Sequence, residues 1–249
     1  MNKILTGLLA AAMAATTCLA QKVPQPKSQK EVDALMAIQN AEDPDKRIAA
    51  VENLLLKFAD TEFKGFALMA ATDAARMKND YEKILLYGER TLEIDPKSYT
   101  AMLAMAAVIA QRTREHDLDR EEKLSRAEKL AKQAVDLVKS APKMNPQIPD
   151  DQWALMKKDF DAQGHDALGM VAMSRKKYDV AAAEFRQAAD GSGDPASMVR
   201  LGTALNSSAK YDEAIAIFDK VMAMTDIHPA VKQVAQAERV RAIQAKGAK

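Results

Sequence analysis

The feature that most constrains the fold is an internal repeat in the second half of the chain. Residue types recur there at a separation of 33 positions: Leu168-Gly169 as Leu201-Gly202, Tyr178 as Tyr211, Ala181 as Ala214, and Phe185 as Phe218. Several side-chain types matching in register at such a period are typical of a stacked repeat, in which each unit packs only against its neighbours. The chain is therefore expected to form an elongated array of similar units.

The spacing within one unit predicts two helices. Leu-Gly and an apolar residue three positions further on share a face of the first helix, and Tyr, Ala and Phe form one stripe of the second. The Gly and Ala positions are expected where the two helices approach closely, because a larger side chain would hold the backbones apart. Each unit is then an antiparallel hairpin that cannot bury its apolar face without a neighbour.

At these residues the chain resembles the tetratricopeptide repeat (TPR) family, and the resemblance covers most of residues 62–229. It implies an all-α, right-handed superhelical solenoid of antiparallel helix pairs, and a role in protein–protein interaction. The unit at residues 62–96 departs from the family pattern, since Ile84 stands at the small position and Gly88 at the aromatic one. The pattern therefore does not predict close packing in this unit.

Residues 1–20 have the features of a signal peptide. Lys3 precedes an apolar stretch, and Cys18-Leu19-Ala20 forms a small-x-small cleavage site before Gln21. The sequence thus predicts a periplasmic or secreted protein. An uncleaved membrane anchor is less favoured because the apolar stretch is short. A lipid anchor on Cys18 is also less favoured, because the preceding residues lack the leucine of a bacterial lipobox.

Prolines and polar segments divide the rest of the chain. Residues 21–28 are expected to be a linker, 29–140 N-terminal TPR-like repeats, 141–149 a proline-containing linker, and 150–249 C-terminal repeats followed by a capping helix. About five hairpins and the cap are expected. The apolar residues 101–110 should form the most deeply buried helix. The polar residues 111–122 should form an extended, solvated turn. A calcium loop is the alternative for this segment, but such a loop needs a Gly and a terminal Glu at a required spacing, which the segment lacks. Asp150 or Asp151 should cap the next helix, and Trp153 should be a packing residue.

Composition argues against several functions. Without residues 1–20 the chain has 35 basic and 35 acidic residues, so it offers no electrostatic footprint for nucleic acid or an anionic membrane. The single cysteine, Cys18, lies in the predicted signal peptide, and the three histidines are far apart in sequence and expected near loops or helix ends. No catalytic, metal-binding or nucleotide-binding motif occurs. We therefore expect a non-enzyme without a cofactor or metal.

The resemblance implies a binding groove lined by the first helix of each repeat. The residues assigned to it by spacing are Phe66, Met69, Asp73, Arg76, Met77, Gln163, Asp166, Met170, Met173, Val199, Thr203 and Asn206. This set predicts an adaptable, methionine-rich strip for the apolar side of a protein or peptide partner. Buried core methionines are the alternative interpretation. A second hypothesis places a small ligand in the same groove, which would require a convergent set of polar groups that the sequence does not reveal.

Overall fold

The computed structural model describes residues 24–248, and every regular element in that range is an α-helix. The predicted signal peptide, Cys18 and the first residues of the linker lie outside this range. The eleven helices are α1 (Gln29–Asn40), α2 (Pro44–Lys57), α3 (Lys64–Met77), α4 (Tyr81–Ile94), α5 (Tyr99–Arg112), α6 (Arg120–Ser140), α7 (Asp150–Ser174), α8 (Tyr178–Ser192), α9 (Pro195–Ser207), α10 (Tyr211–Ala223) and α11 (Pro229–Gly247).

Capping residues set several of the helix starts. The Ser28 hydroxyl accepts a hydrogen bond from the Glu31 amide at the start of α1, and the Asp43 carboxylate does the same for the Lys46 amide before Pro44 of α2. Asp194 accepts from two amides at the start of α9, again directly before a proline. In each case a side-chain oxygen satisfies an amide that lacks a partner within the helix.

Consecutive helices pack against each other along the whole array, forming five hairpins followed by α11. The odd-numbered helices also lie side by side, since α1 contacts α3, α3 contacts α5, α5 contacts α7, and α9 contacts α11. The apolar core is accordingly a series of clusters between neighbouring hairpins rather than one central core. The expected all-α solenoid is confirmed.

Glycine and phenylalanine meet inside each of the two strong repeats, as the repeat pattern predicted. A Cβ added to Gly169 would lie 2.5 Å from the Phe185 ring, and one added to Gly202 would lie 2.5 Å from the Phe218 ring. Both rings are fully buried. The helices of each hairpin therefore approach so closely that only hydrogen fits opposite the ring.

The unit formed by α3 and α4 has a close approach of a different kind, between its second helix and the next hairpin. Thr72 of α3 occupies the place of the repeat glycine, and Gly88 of α4 that of the aromatic residue. A Cβ on Gly88 would lie 2.6 Å from the sulfur of Met105, which comes from α5. Met105 is fully buried, so a side chain of the next hairpin fills the space that the missing aromatic ring leaves.

Helix α5 is the most deeply buried, as expected, with nine of its fourteen residues buried. The polar turn after it is shorter than predicted, because α5 extends through Arg112 and α6 begins at Arg120. Residues 141–149 form the loop between α6 and α7. Neither aspartate caps α7, however: Pro149 occupies the cap position, and Asp150 instead pairs with Lys143.

Trp153 is a packing residue, as predicted. Its indole is 6% exposed, and its ring centroid lies 6.5 Å from that of Phe160 in an edge-on arrangement. Phe160 in turn lies edge-on to Tyr99 of α5, with ring centroids 5.3 Å apart. This aromatic contact fixes the N-terminal half of α7 against α5.

Candidate binding cleft

Two adjoining cavities open along the odd-numbered helices. The larger has a volume of about 490 Å³ and the smaller about 260 Å³. Arg76, Leu103, Ala104 and Gln163 line both of them, so they form one continuous depression. We call it the α3–α9 cleft, since its walls come mainly from α3, α5, α7 and α9.

The smaller cavity is the apolar end of the cleft. Met69 of α3, Met144 of the 141–149 loop, Met156 and Phe160 of α7, and Leu103 of α5 line it. Three thioether side chains around one cavity make an adaptable surface, because methionine is unbranched and polarizable. The sequence-based prediction of a methionine-rich site thus has a structural counterpart, although two of the three methionines differ from those predicted.

The larger cavity is the polar end. Here the Asp166 carboxylate accepts hydrogen bonds from the Arg200 guanidinium at 2.9 and 3.0 Å and lies 3.0 Å from the donating Ser197 hydroxyl. Burial raises the pKa of the Asp166 carboxyl, and the adjacent Arg200 charge opposes that rise. These contacts join α7 to α9 at the wall of the cleft.

Two further carboxylates at the polar end have no cationic partner among the described residues. Asp159 accepts a hydrogen bond from the Gln163 amide at 2.7 Å. Asp194 caps α9 and lies 3.1 Å from the Ser197 hydroxyl. At the junction of the two ends, Arg76 is 3.9 Å from Asp73, a distance that leaves its guanidinium largely available for other contacts.

The structure brings some of the predicted groove residues together and separates others. Met69, Asp73, Arg76, Gln163 and Asp166 all line the α3–α9 cleft. The others lie elsewhere: Met170, Met173 and Phe66 pack against apolar clusters, Val199 is buried, Met77 is exposed, and Thr203 and Asn206 are partly buried on α9. Met170, Met173 and Val199 therefore fit the alternative interpretation of core residues.

Several cleft residues were missed by the sequence reasoning. They are Met144, Met156, Asp159, Phe160, Asp194, Ser197 and Arg200. One signal for them was present, because Met156, Asp159, Phe160, Gln163 and Asp166 follow each other at helical spacing along α7. The sequence reasoning found no convergent polar set, and this was wrong: Asp166, Ser197 and Arg200 form one.

The histidines differ in their surroundings. His228 caps α11 by accepting from the Ala230 amide, which fits the expected role at a helix end. His165 does not fit that expectation, because it lies within α7. Its side chain is largely buried, and its Nδ1 lies 2.7 Å from a carboxylate oxygen of Glu184 on α8. The hydrogen bond to Glu184 raises the pKa of His165, and the Asp161 charge adds to the effect while Lys139 opposes it.

Two searches of the described residues give negative findings. Within residues 24–248, no three His, Cys, Asp or Glu side chains are grouped so as to hold a metal ion. Over the same residues, no helix has the length and apolar character needed to cross a membrane.

The stacked hairpins and the cleft along their first helices define the class of protein: an all-α helical-repeat solenoid. Comparison with solved structures gives the fold more specifically. The crystal structure of a thermophilic TPR protein from Thermus thermophilus is similar, with a TM-score of 0.54 and 19% sequence identity, over 86% of this chain and 98% of that chain. No protein-family model matches the chain, and no curated protein matches its sequence. The fold is thus that of a TPR-like solenoid.

Proposed function

We propose that this protein is an exported, non-catalytic scaffold that binds a segment of a partner protein in the α3–α9 cleft. The observation that carries the proposal is the cleft itself, which joins an apolar end to a polar end along four stacked hairpins. An extended protein segment presents apolar and polar side chains in succession and can therefore contact both ends at once. The volume of the larger cavity, about 490 Å³, lies within the usual range for ligand pockets, and that of the smaller, about 260 Å³, lies just below it.

Site-specific photo-crosslinking tests the location of the site. A photoreactive residue at Gln111, exposed at the edge of the polar end, should crosslink to a discrete partner in cells. The same residue at Ala183, exposed on α8, is the matched control because no α8 residue before Ser192 lines the cleft. Equal crosslinking at both positions, or none at Gln111, contradicts the proposal.

A pair of methionine variants separates binding from folding. Met69→Glu places a charge in the apolar end, where the side chain is only partly buried, so it should abolish partner crosslinking with little change in melting temperature. Met173→Glu places the charge against the apolar cluster formed by α7 to α11, so it should destabilise the fold. Partner binding that survives Met69→Glu would place the binding site outside the apolar end.

The exported location is the second part of the proposal, and it rests on Lys3 and the Cys18-Leu19-Ala20 cleavage site. Intact-mass measurement on protein isolated from the periplasm or the medium should give a chain that begins at Gln21. A diacylated Cys18, or a chain that still begins at Met1, contradicts this assignment.

A small polar ligand is a second candidate for the cleft, and the cluster of Asp166, Ser197 and Arg200 favours it. These side chains come from two helices and present both donors and acceptors toward one cavity. Native mass spectrometry of the gently purified protein tests this candidate. A bound small molecule that is lost in Arg200→Ala, together with the absence of a crosslinked protein at Gln111, would support it over the scaffold.

A further inference from the structure

The chemistry of the bound segment can be inferred from the two ends of the cleft, and this inference rests on the proposed function. We infer that the segment carries a large apolar side chain and, within about two residues of it, a lysine or arginine. The apolar side chain would occupy the end lined by Met69, Met144 and Met156. The cationic side chain would face Asp159 and Asp194.

The apolar end fits one large side chain. Its volume is about 260 Å³, and apolar groups, including those of three methionines, Phe160 and Leu103, form most of its surface. Transfer of a leucine, methionine or phenylalanine side chain from water into such a cavity is favourable. A charged side chain would be desolvated there without a partner, apart from Arg76 and Asp73 at the junction.

The charge balance of the cleft favours a cationic group. Four carboxylates line it, those of Asp73, Asp159, Asp166 and Asp194, against only the guanidiniums of Arg76 and Arg200. The excess is two negative charges. Arg200 compensates Asp166 and Arg76 lies beside Asp73, so the excess resides on Asp159 and Asp194. An acidic segment would be repelled by these two carboxylates, whereas a lysine or arginine could form ion pairs with them.

Helix α7 gives the spacing, because it runs along both ends. Asp159, which the cationic side chain would face, directly precedes Phe160 and follows Met156 by three residues, so it lies about 2–5 Å from them along the helix axis. An extended chain advances about 3.3 Å per residue. The apolar and cationic side chains of a segment lying along α7 would therefore be within about two residues of each other.

Selection from a peptide library tests the inference. Random peptides of about twelve residues displayed on phage would be selected against the full-length protein and against Ala107→Trp, in which a bulky ring fills the polar end from α5. Ala183→Trp is the matched control on the exposed face of α8. Peptides that bind the wild type and the control variant, but not Ala107→Trp, should share an apolar residue with Lys or Arg within about two positions of it.

A synthetic peptide with the selected sequence gives the quantitative test. Replacing its Lys or Arg by Glu should weaken binding by about ten-fold or more, and Asp159→Asn should weaken the unaltered peptide by about three-fold or more. Asp33→Asn is the control, since Asp33 on α1 accepts from the Gln29 amide at 2.9 Å much as Asp159 accepts from Gln163. It should leave affinity unchanged.

An acidic consensus, no cleft-dependent peptides, or equal affinity in Asp159→Asn would each overturn the inference. An acidic consensus would leave the proposed function standing, because the cleft would still bind a protein segment. The proposed function fails separately, if the photoreactive residue at Gln111 captures no partner in cells.

Discussion

The contact between Gly202 and the Phe218 ring gives a quantitative prediction about what holds a hairpin together. A Cβ at Gly202 would lie 2.5 Å from Cε1 and 2.7 Å from Cζ of Phe218, whereas an ordinary contact is 3.4–4 Å. In Gly202→Ala the ring must therefore move by about 1 Å, yet it is fully buried and has no free space to enter. Such overpacking costs about 1–3 kcal/mol of unfolding free energy.

Helix propensity must be separated from this packing cost, because alanine is intrinsically favoured over glycine in a helix by up to about 1 kcal/mol. Gly65→Ala in α3 is the matched variant, since a Cβ there meets nothing within 4 Å. Gly65→Ala should leave stability unchanged or raise it. Gly202→Ala should be less stable than Gly65→Ala by about 1–3 kcal/mol, the overpacking cost alone.

The assay is urea unfolding followed by circular dichroism, with hydrogen exchange of the α9 and α10 amides as a local readout. A third variant, Phe218→Leu, removes the ring and should destabilise the protein by leaving a cavity. Adding Gly202→Ala to Phe218→Leu should then cost little, which gives a coupling energy of about 1 kcal/mol or more. The close-approach argument is refuted if Gly202→Ala and Gly65→Ala are equally stable, or if the two changes at Gly202 and Phe218 are additive.

Three further predictions follow from burial, backbone conformation and ionisation. Ala214 is fully buried, so Ala214→Arg should destabilise the fold by about 3 kcal/mol or more, while Ala183→Arg on the exposed face of α8 should melt as the wild type does. Ala209 has a φ of 61°, so Ala209→Gly should raise the free energy of unfolding, measured in urea, by about 1 kcal/mol. Asn79→Gly, at the equivalent turn, should raise it by less, because asparagine tolerates a positive φ. Equal gains for the two variants would refute the conformational argument. Because the folded-state pKa of His165 is raised, the contribution of its imidazolium to stability should be fully present below pH 6.5 and be lost as pH rises through the folded pKa. His165→Gln should remove this pH dependence of the melting temperature. Parallel melting temperatures for the two proteins across neutral pH would contradict the prediction.

The repeat register was readable from the sequence because it depends on side-chain size. Gly169 and Phe185 must be small and large at fixed positions for two helices to approach, so their recurrence 33 residues later identified the hairpins. The same logic failed at Gly88. The residue that fills the space there, Met105, belongs to the next hairpin, and no spacing within one unit reveals a partner from another.

The cleft was only partly readable, for a geometric reason. Helical spacing tells which residues share a face but not which neighbour that face meets, and α7 is packed by α5, α6 and α8 at once. Met170 and Met173 were therefore assigned to a groove although they pack against core clusters. The Asp166–Arg200 pair was detectable in principle, because its members lie 34 residues apart, close to one repeat period, and equivalent positions of successive repeats lie side by side in a solenoid.

Part of the chemistry of the cleft comes from segments that lie outside the 33-residue repeat. Helix α7 has 25 residues against 13 in α9, and its additional N-terminal turns supply Met156, Asp159 and Phe160. The non-repeated loop before it supplies Met144. The positions of the repeat that form the interfaces between helices are constrained to small and apolar residues. Residues outside it are free of that constraint, so a chain of this kind can acquire a specific binding surface where its repeat pattern is interrupted without weakening the stack.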